Sequence, residues 1–138
     1  MAYWKSAFRT LVPKAGSDPA NPTFGGVVRV DEQSAIFLGL CTKLPYLVPV
    51  GKKLRLTDVQ FSSKAIVQRS SYLILYDGRD NLPDAARELI SVPEHAPCLN
   101  IKGYYDLPAG TLFSAVFTNN SPEDQWMAGF IIGSLVTA

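Results

Sequence analysis

From Gly26 to the end of the chain, apolar positions come in short runs that alternate or cluster, and polar turns cut them at close intervals. Val27–Val30 and Ala35–Thr42 are two apolar, β-branched-rich runs, separated by the polar Asp31-Glu32-Gln33-Ser34. Lys53–Phe61 alternates through Leu54 and Leu56, continues with Val59 and Phe61, and breaks at Ser62-Ser63-Lys64. Ser71–Tyr76 stops at Asp77-Gly78, a strong turn signal. Arg79–Arg87, with Pro83 inside it, reads as a loop holding one turn of helix at Asp84-Ala85-Ala86-Arg87. Glu88–Val92 is a short strand closed by Pro93, and Cys98–Tyr105 is another, with Gly103 marking a bulge. Leu112–Thr118 runs into Asn119-Asn120-Ser121-Pro122, and Gln125–Val136 is long enough to need a bend near Gly129 or Gly133.

These eight runs, with no long helix among them, predict an all-β fold: an eight-stranded jelly-roll-like β-sandwich over residues 26–138. An immunoglobulin-like sandwich is the weaker alternative, because the Cys…Trp…Cys spacing is absent. One phrase occurs twice. Val48-Pro49-Val50-Gly51 and Leu107-Pro108-Ala109-Gly110 each place a proline and a glycine just before an apolar run, so each reads as a turn feeding a strand.

Residues 1–25 follow another pattern. Tyr3, Trp4, Ala7, Phe8, Leu11 and Val12 fall near i, i+4, i+8 spacing, which predicts a short amphipathic helix stopped by Pro13. Lys14–Pro22, rich in Pro, Gly and Ser, follows as a linker. The segment is therefore expected to be an N-terminal arm, lying on a neighbouring subunit through Tyr3, Trp4, Phe8 and Leu11. Its alternative place is folded back over its own sandwich.

Composition narrows the partners. The 138 residues suffice for one domain with a real core. The formal charge of +1 steers the chain toward neither nucleic acid nor an anionic membrane. No apolar run reaches membrane-spanning length, and the first residues lack the continuous apolar stretch of a signal peptide, so synthesis in a cytoplasm is expected. Cys41 and Cys98 lie in apolar runs and are expected to be buried thiols, with a disulfide as the alternative.

Candidate chemistry is sparse. The single histidine, His95, lies between Pro93 and Pro97 in a loop, whereas a cupin-type metal centre needs several histidines. No Gly-x-Ser-x-Gly elbow is present. Asp77, Asp80, Asn81 and Asp84 lack the spacing of a calcium loop and include Arg79 among them, so they read as a solvated turn. The same holds for Asn119, Asn120, Glu123 and Asp124. No catalytic residue, metal site or cofactor is expected. The fifteen aromatic residues matter more, since exposed rings stack on sugars and anchor interfaces. Tyr46, Tyr104, Tyr105 and Trp126, beside turns or strand ends, are the candidates for ligand or partner contact.

The two apolar-Pro-small-Gly turns, together with the terminal Gly133-Ser134-Leu135-Val136, resemble the jelly-roll modules of bacteriophage particles over residues 26–138. The resemblance implies a non-enzymatic virion protein, a capsid cement or decoration protein or part of a tail or fibre. Its implied partners are capsid or other virion proteins and further copies of itself. A carbohydrate-binding or receptor-binding module using loop-end aromatics is the alternative expectation.

Overall fold

The structure, a computed structural model, describes residues 2–14, 16, 26–31, 42–63, 72–78, 88–93 and 99–138; of residues 2, 88–93 and 99–104 it describes the backbone alone. Nine strands lie among the described residues: β1 (Ala2–Val12), β2 (Gly26–Arg29), β3 (Tyr46–Leu47), β4 (Lys52–Ser63), β5 (Tyr72–Asp77), β6 (Glu88–Pro93), β7 (Leu99–Leu107), β8 (Leu112–Asn119) and β9 (Gln125–Thr137). They form two antiparallel sheets, in the orders β1-β9-β4-β7 and β2-β8-β5-β6, with the two-residue β3 also paired to β8. Among the eight longer strands the chain changes sheet at every connection except β5 to β6. That arrangement is an eight-stranded, two-sheet jelly roll.

The runs expected at 27–30, 53–61, 71–76, 88–92, 98–105, 112–118 and 125–136 all become strands, with ends moved by a residue or two. The run expected at Ala35–Thr42 lies outside the described residues up to Cys41, and Thr42 is not in a strand. The loop at Arg79–Arg87 and the linker residues 17–25 also lie outside them.

The reading of the N-terminus as a helical arm is corrected. Residues 2–12 are strand β1, in unbroken register with β9 from Ala2↔Leu135 to Val12↔Gln125. Trp4, Ser6, Phe8 and Val12 point inward and are buried, while Tyr3, Arg9 and Leu11 are exposed. Every i, i+4 pair is also two steps of a period-2 pattern, so the spacing that suggested a helix face fits one face of a strand equally well. Partnership with β9 decides between them.

The core fills the space between the sheets. Trp4, Phe8 and Val12 from β1 meet Phe113, Ala115 and Phe117 from β8, with Leu54, Leu56, Val59 and Phe61 from β4 and Leu73 and Leu75 from β5. Phe8 and Phe117 meet edge to face with 5.5 Å between ring centroids, and Phe117 lies 6.0 Å from Phe61. Each large apolar side chain buried this way contributes roughly 1.5–3 kcal/mol.

A bulge explains the break in the β4 alternation. The register with β9 runs Leu56↔Gly133 and then Asp58↔Ile132, leaving Thr57 as an extra residue, so Leu54 and Leu56 share the inner face with Val59 and Phe61. Thr57 Oγ1 donates to the Ile132 carbonyl at 3.3 Å. The bulge brings β4 backbone against β9. A Cβ on Gly133 would lie 2.5 Å from the Arg55 carbonyl oxygen, which is why this position carries no side chain. On the other side of β4, the register with β7 passes from Leu56↔Tyr105 to Asp58↔Asn100, so the irregularity expected at Gly103 falls in the stretch of β7 opposite Thr57.

The two similar turns lie side by side. In each, a glycine takes positive φ, 79° at Gly51 and 87° at Gly110. The residue after each glycine donates its N–H to the proline carbonyl three positions back, Lys52 to Pro49 and Thr111 to Pro108, both at 3.2 Å. This is the type II pattern, with glycine where φ must be positive. Val48 joins the turns: its N–H donates to the Thr111 carbonyl and its carbonyl accepts from Gly110 N–H, both at 2.9 Å.

Candidate functional site

Two surfaces stand out among the described residues. The first is the end of the sandwich made by the paired turns. Val50 is 95% exposed and Leu47 60%, with Pro49, Pro108 and Ala109 exposed beside them. The hydrogen bonds through Val48 hold these groups on a fixed platform, so the apolar tip is presented without flexible side-chain stems.

The second is the outer face of the β1-β9-β4-β7 sheet. Registers align Arg9, Ala128 and Ser62 in one row across three strands, and Ala7, Phe130 and Gln60 in the next. Ala128 is small, so the centre of the face is low. A depression of about 410 Å³ is lined by Ala7, Arg9, Gln60, Ser62, Ala128 and Phe130. A second of about 270 Å³ continues it past Ser62 and Ala128 to Trp126. The Arg9 guanidinium lies 4.5 Å from the Trp126 ring centre, and Lys5 Nζ lies 4.9 Å from that of Phe130. Each cation on β1 is thus held over an aromatic ring of β9 by the same diagonal step. Neither makes an ion pair among the described residues.

Farther along this face, toward the β7 edge, two cations share one carboxylate. Asp106 accepts from Arg55 Nε at 2.9 Å and Nη2 at 3.1 Å, and Lys53 Nζ lies 3.2 Å from it. The Arg55 hydrogen bonds hold the Asp106 carboxyl below its ordinary range; partial burial opposes them and Lys53 adds to them. In the other sheet, Tyr76 is buried, which raises its phenol above the ordinary range against the opposing pull of Arg29 and a hydrogen bond with Ser114. Tyr46 is likewise raised by burial.

Comparison with known proteins returns no matching family model, no matching curated protein and no matching solved structure.

The residues singled out from sequence divide sharply. Trp4 and Phe8, expected to contact a partner, are core residues: Trp4 is 2% exposed, with its ring 5.6 Å from those of Tyr46 and Phe113. Tyr3 and Leu11 are exposed on β1, and Leu11 is the register partner of Trp126. Tyr46 is half-buried against Trp4. Tyr105 is exposed on the edge strand β7, away from Trp126, which is 42% exposed at the rim of the depression. The side chain of Tyr104 lies outside the described residues, as do His95, Cys41 and Cys98.

One residue of each polar turn differs from its reading as solvated, while Asn120, Glu123 and Asp124 are exposed. Asp77 is buried and accepts the Leu112 N–H at 3.3 Å, while Asp80, Asn81 and Asp84 lie outside the described residues. Asn119 is fully buried rather than solvated. Its amide donates to the Val12 carbonyl at 3.0 Å and the Glu123 carbonyl at 2.9 Å, and its oxygen accepts from Ser121 N–H. Asp124 accepts the Lys14 N–H at 2.9 Å. These bonds fasten the end of β1 to the loop between β8 and β9. Among the described residues, no three of His, Cys, Asp and Glu gather as a group fit to hold a metal.

Proposed function

We propose that the chain is a non-enzymatic structural protein of a virus particle, a cement or decoration protein that seats on shell subunits and on further copies of itself. The observation that carries this reading is the rigid apolar tip at Leu47, Pro49, Val50, Pro108 and Ala109. Exposed apolar groups gathered on a fixed surface with a polar surround favour protein contact, since covering them removes apolar area from water. The exposed Lys52 supplies part of that polar surround. The jelly roll is compatible with the role and does not choose it, because the same fold serves many functions.

The test is co-sedimentation of the full chain with particles purified from its source. Wild-type chain is expected to travel with the particles, and Val50→Asp is expected to stay in the supernatant with its melting temperature unchanged. Wild-type chain found only in the soluble fraction overturns the reading. Val50→Asp binding as well as wild type moves the contact away from the tip.

A further inference from the structure

We infer that the depression centred on Ala128 is a binding site for a saccharide that carries a carboxylate. This rests on the face of the sheet and not on the structural role proposed above. Four side chains stand around the small floor. Arg9 and Ser62 face each other across Ala128, one strand away on either side. Trp126 and Phe130 flank it two residues away in each direction along β9. With strands about 4.8 Å apart and about 3.4 Å per residue, the enclosure measures roughly 10 Å by 14 Å between backbone positions. Its volume of about 410 Å³ lies within the range of small-molecule sites.

The chemistry of the walls chooses the ligand. Ala7, Ala128 and the Gly129 backbone form a flat floor on which a ring can lie, and the Trp126 and Phe130 rings offer apolar faces at either end. Gln60 and Ser62, both exposed, supply an amide and a hydroxyl, which donate to and accept from sugar hydroxyls. Arg9 adds the charge. Its guanidinium is steadied by Trp126 and makes no ion pair among the described residues, so its planar fork is available for a two-point bond to a carboxylate. Among the described residues, no acidic side chain lines either depression. A nucleic-acid strand would need a longer track of positive charge than Arg9 and Lys5 provide.

On the outer face of the other sheet, Ser114 and Val116 are buried, while Val27 and Arg29 of β2 are exposed.

The test is amide-shift mapping by NMR on the full ¹⁵N-labelled chain, titrated with three probes: a hyaluronan hexasaccharide, the neutral cellohexaose and a six-residue oligothymidylate. The hyaluronan probe is expected to move the amides of residues 7–9, 60–62 and 126–130. Arg9→Gln should weaken that binding at least about tenfold. Ala128→Leu, which fills the floor from the solvent side, should abolish it. Both variants should keep the wild-type melting temperature; should Ala128→Leu misfold, the Arg9→Gln titration still decides. The proposal is overturned if millimolar hyaluronan probe leaves these amides unmoved, or if cellohexaose or the oligothymidylate binds as well. Undiminished binding by Arg9→Gln overturns it too.

Discussion

The ring of Phe8 occupies the space that a side chain on Gly129 would fill. The two residues are register partners in adjacent strands, and a Cβ at Gly129 would run into the far end of the Phe8 ring and come 3.1 Å from a Leu73 methyl. Gly129→Ala therefore overpacks the core and is expected to cost about 1–3 kcal/mol in urea unfolding. Shortening the ring should recover part of that cost, so Phe8→Leu with Gly129→Ala should be less destabilising than the sum of the two changes. Strict additivity would show that the ring and the missing side chain do not share one space.

Trp4 offers a second test. Its indole Nε1 is buried with no hydrogen-bond partner among the described residues, packed between Tyr46 and Phe113. An unpaired buried donor carries a desolvation cost of about 1–3 kcal/mol, and phenylalanine removes it. Trp4→Phe is expected to change stability by less than about 1.5 kcal/mol, because recovered desolvation offsets lost volume. Trp4→Ala should lose about 3–5 kcal/mol. Equal, large losses in both variants would mean that the indole N–H is satisfied in solution.

Asp106 should make stability depend on acid pH. Its carboxyl is held below the ordinary 3.8, chiefly by Arg55, so it binds a proton less readily folded than unfolded. The stabilisation is present above that ordinary value and is lost as pH falls through the lower folded one. The side chain is one-quarter exposed, so solvent screening keeps the contribution below about 1 kcal/mol. Melting curves should show the Asp106→Asn protein less stable than wild type at pH 6, with the gap closing towards pH 2. A gap that stays constant would assign the loss to packing instead of charge.

Deleting residues 1–13 should unfold the domain. The deletion takes Trp4, Phe8 and Val12 out of the core, strips β9 of one of its two neighbours and leaves the Asn119 amide without the Val12 carbonyl. Circular dichroism of the truncated chain is expected to lack a cooperative melt. A truncated chain that melts within a few degrees of wild type would show that β1 is dispensable.

Much of the architecture could be read from alternation, as in β4, where Leu54 and Leu56 and, past the bulge, Val59 and Phe61 are buried at every second position; β8, buried from Phe113 to Phe117 without a break, shows no such alternation. The displaced alternation between Leu56 and Val59 even marks the bulge. Residues 2–12 misled because β1 satisfies two periods at once, and its pairing with β9 comes from a segment more than a hundred positions away. Asn119 misled because a buried amide and a solvated one look alike in sequence. The depression at Ala128 was out of reach for a related reason. Arg9, Ser62, Gln60 and Phe130 belong to three strands, and the register that aligns them exists only in the folded sheet. Trp126 was singled out, but its partner Arg9 was not, and no local signal joins them.

The position of β9 also governs how the molecule can form. It lies between β1 and β4, so both acquire their shared partner from the last of the described strands along the chain. Closing so long a loop before its contacts form is entropically slow, and folds dominated by distant pairings reach the native state in milliseconds to seconds. While β9 is absent, β1 and β4 carry unpaired backbone edges and the Phe8 side of the core is open. During that interval the chain is at its most prone to pair with another copy of itself, a hazard that ends when β9 enters the sheet.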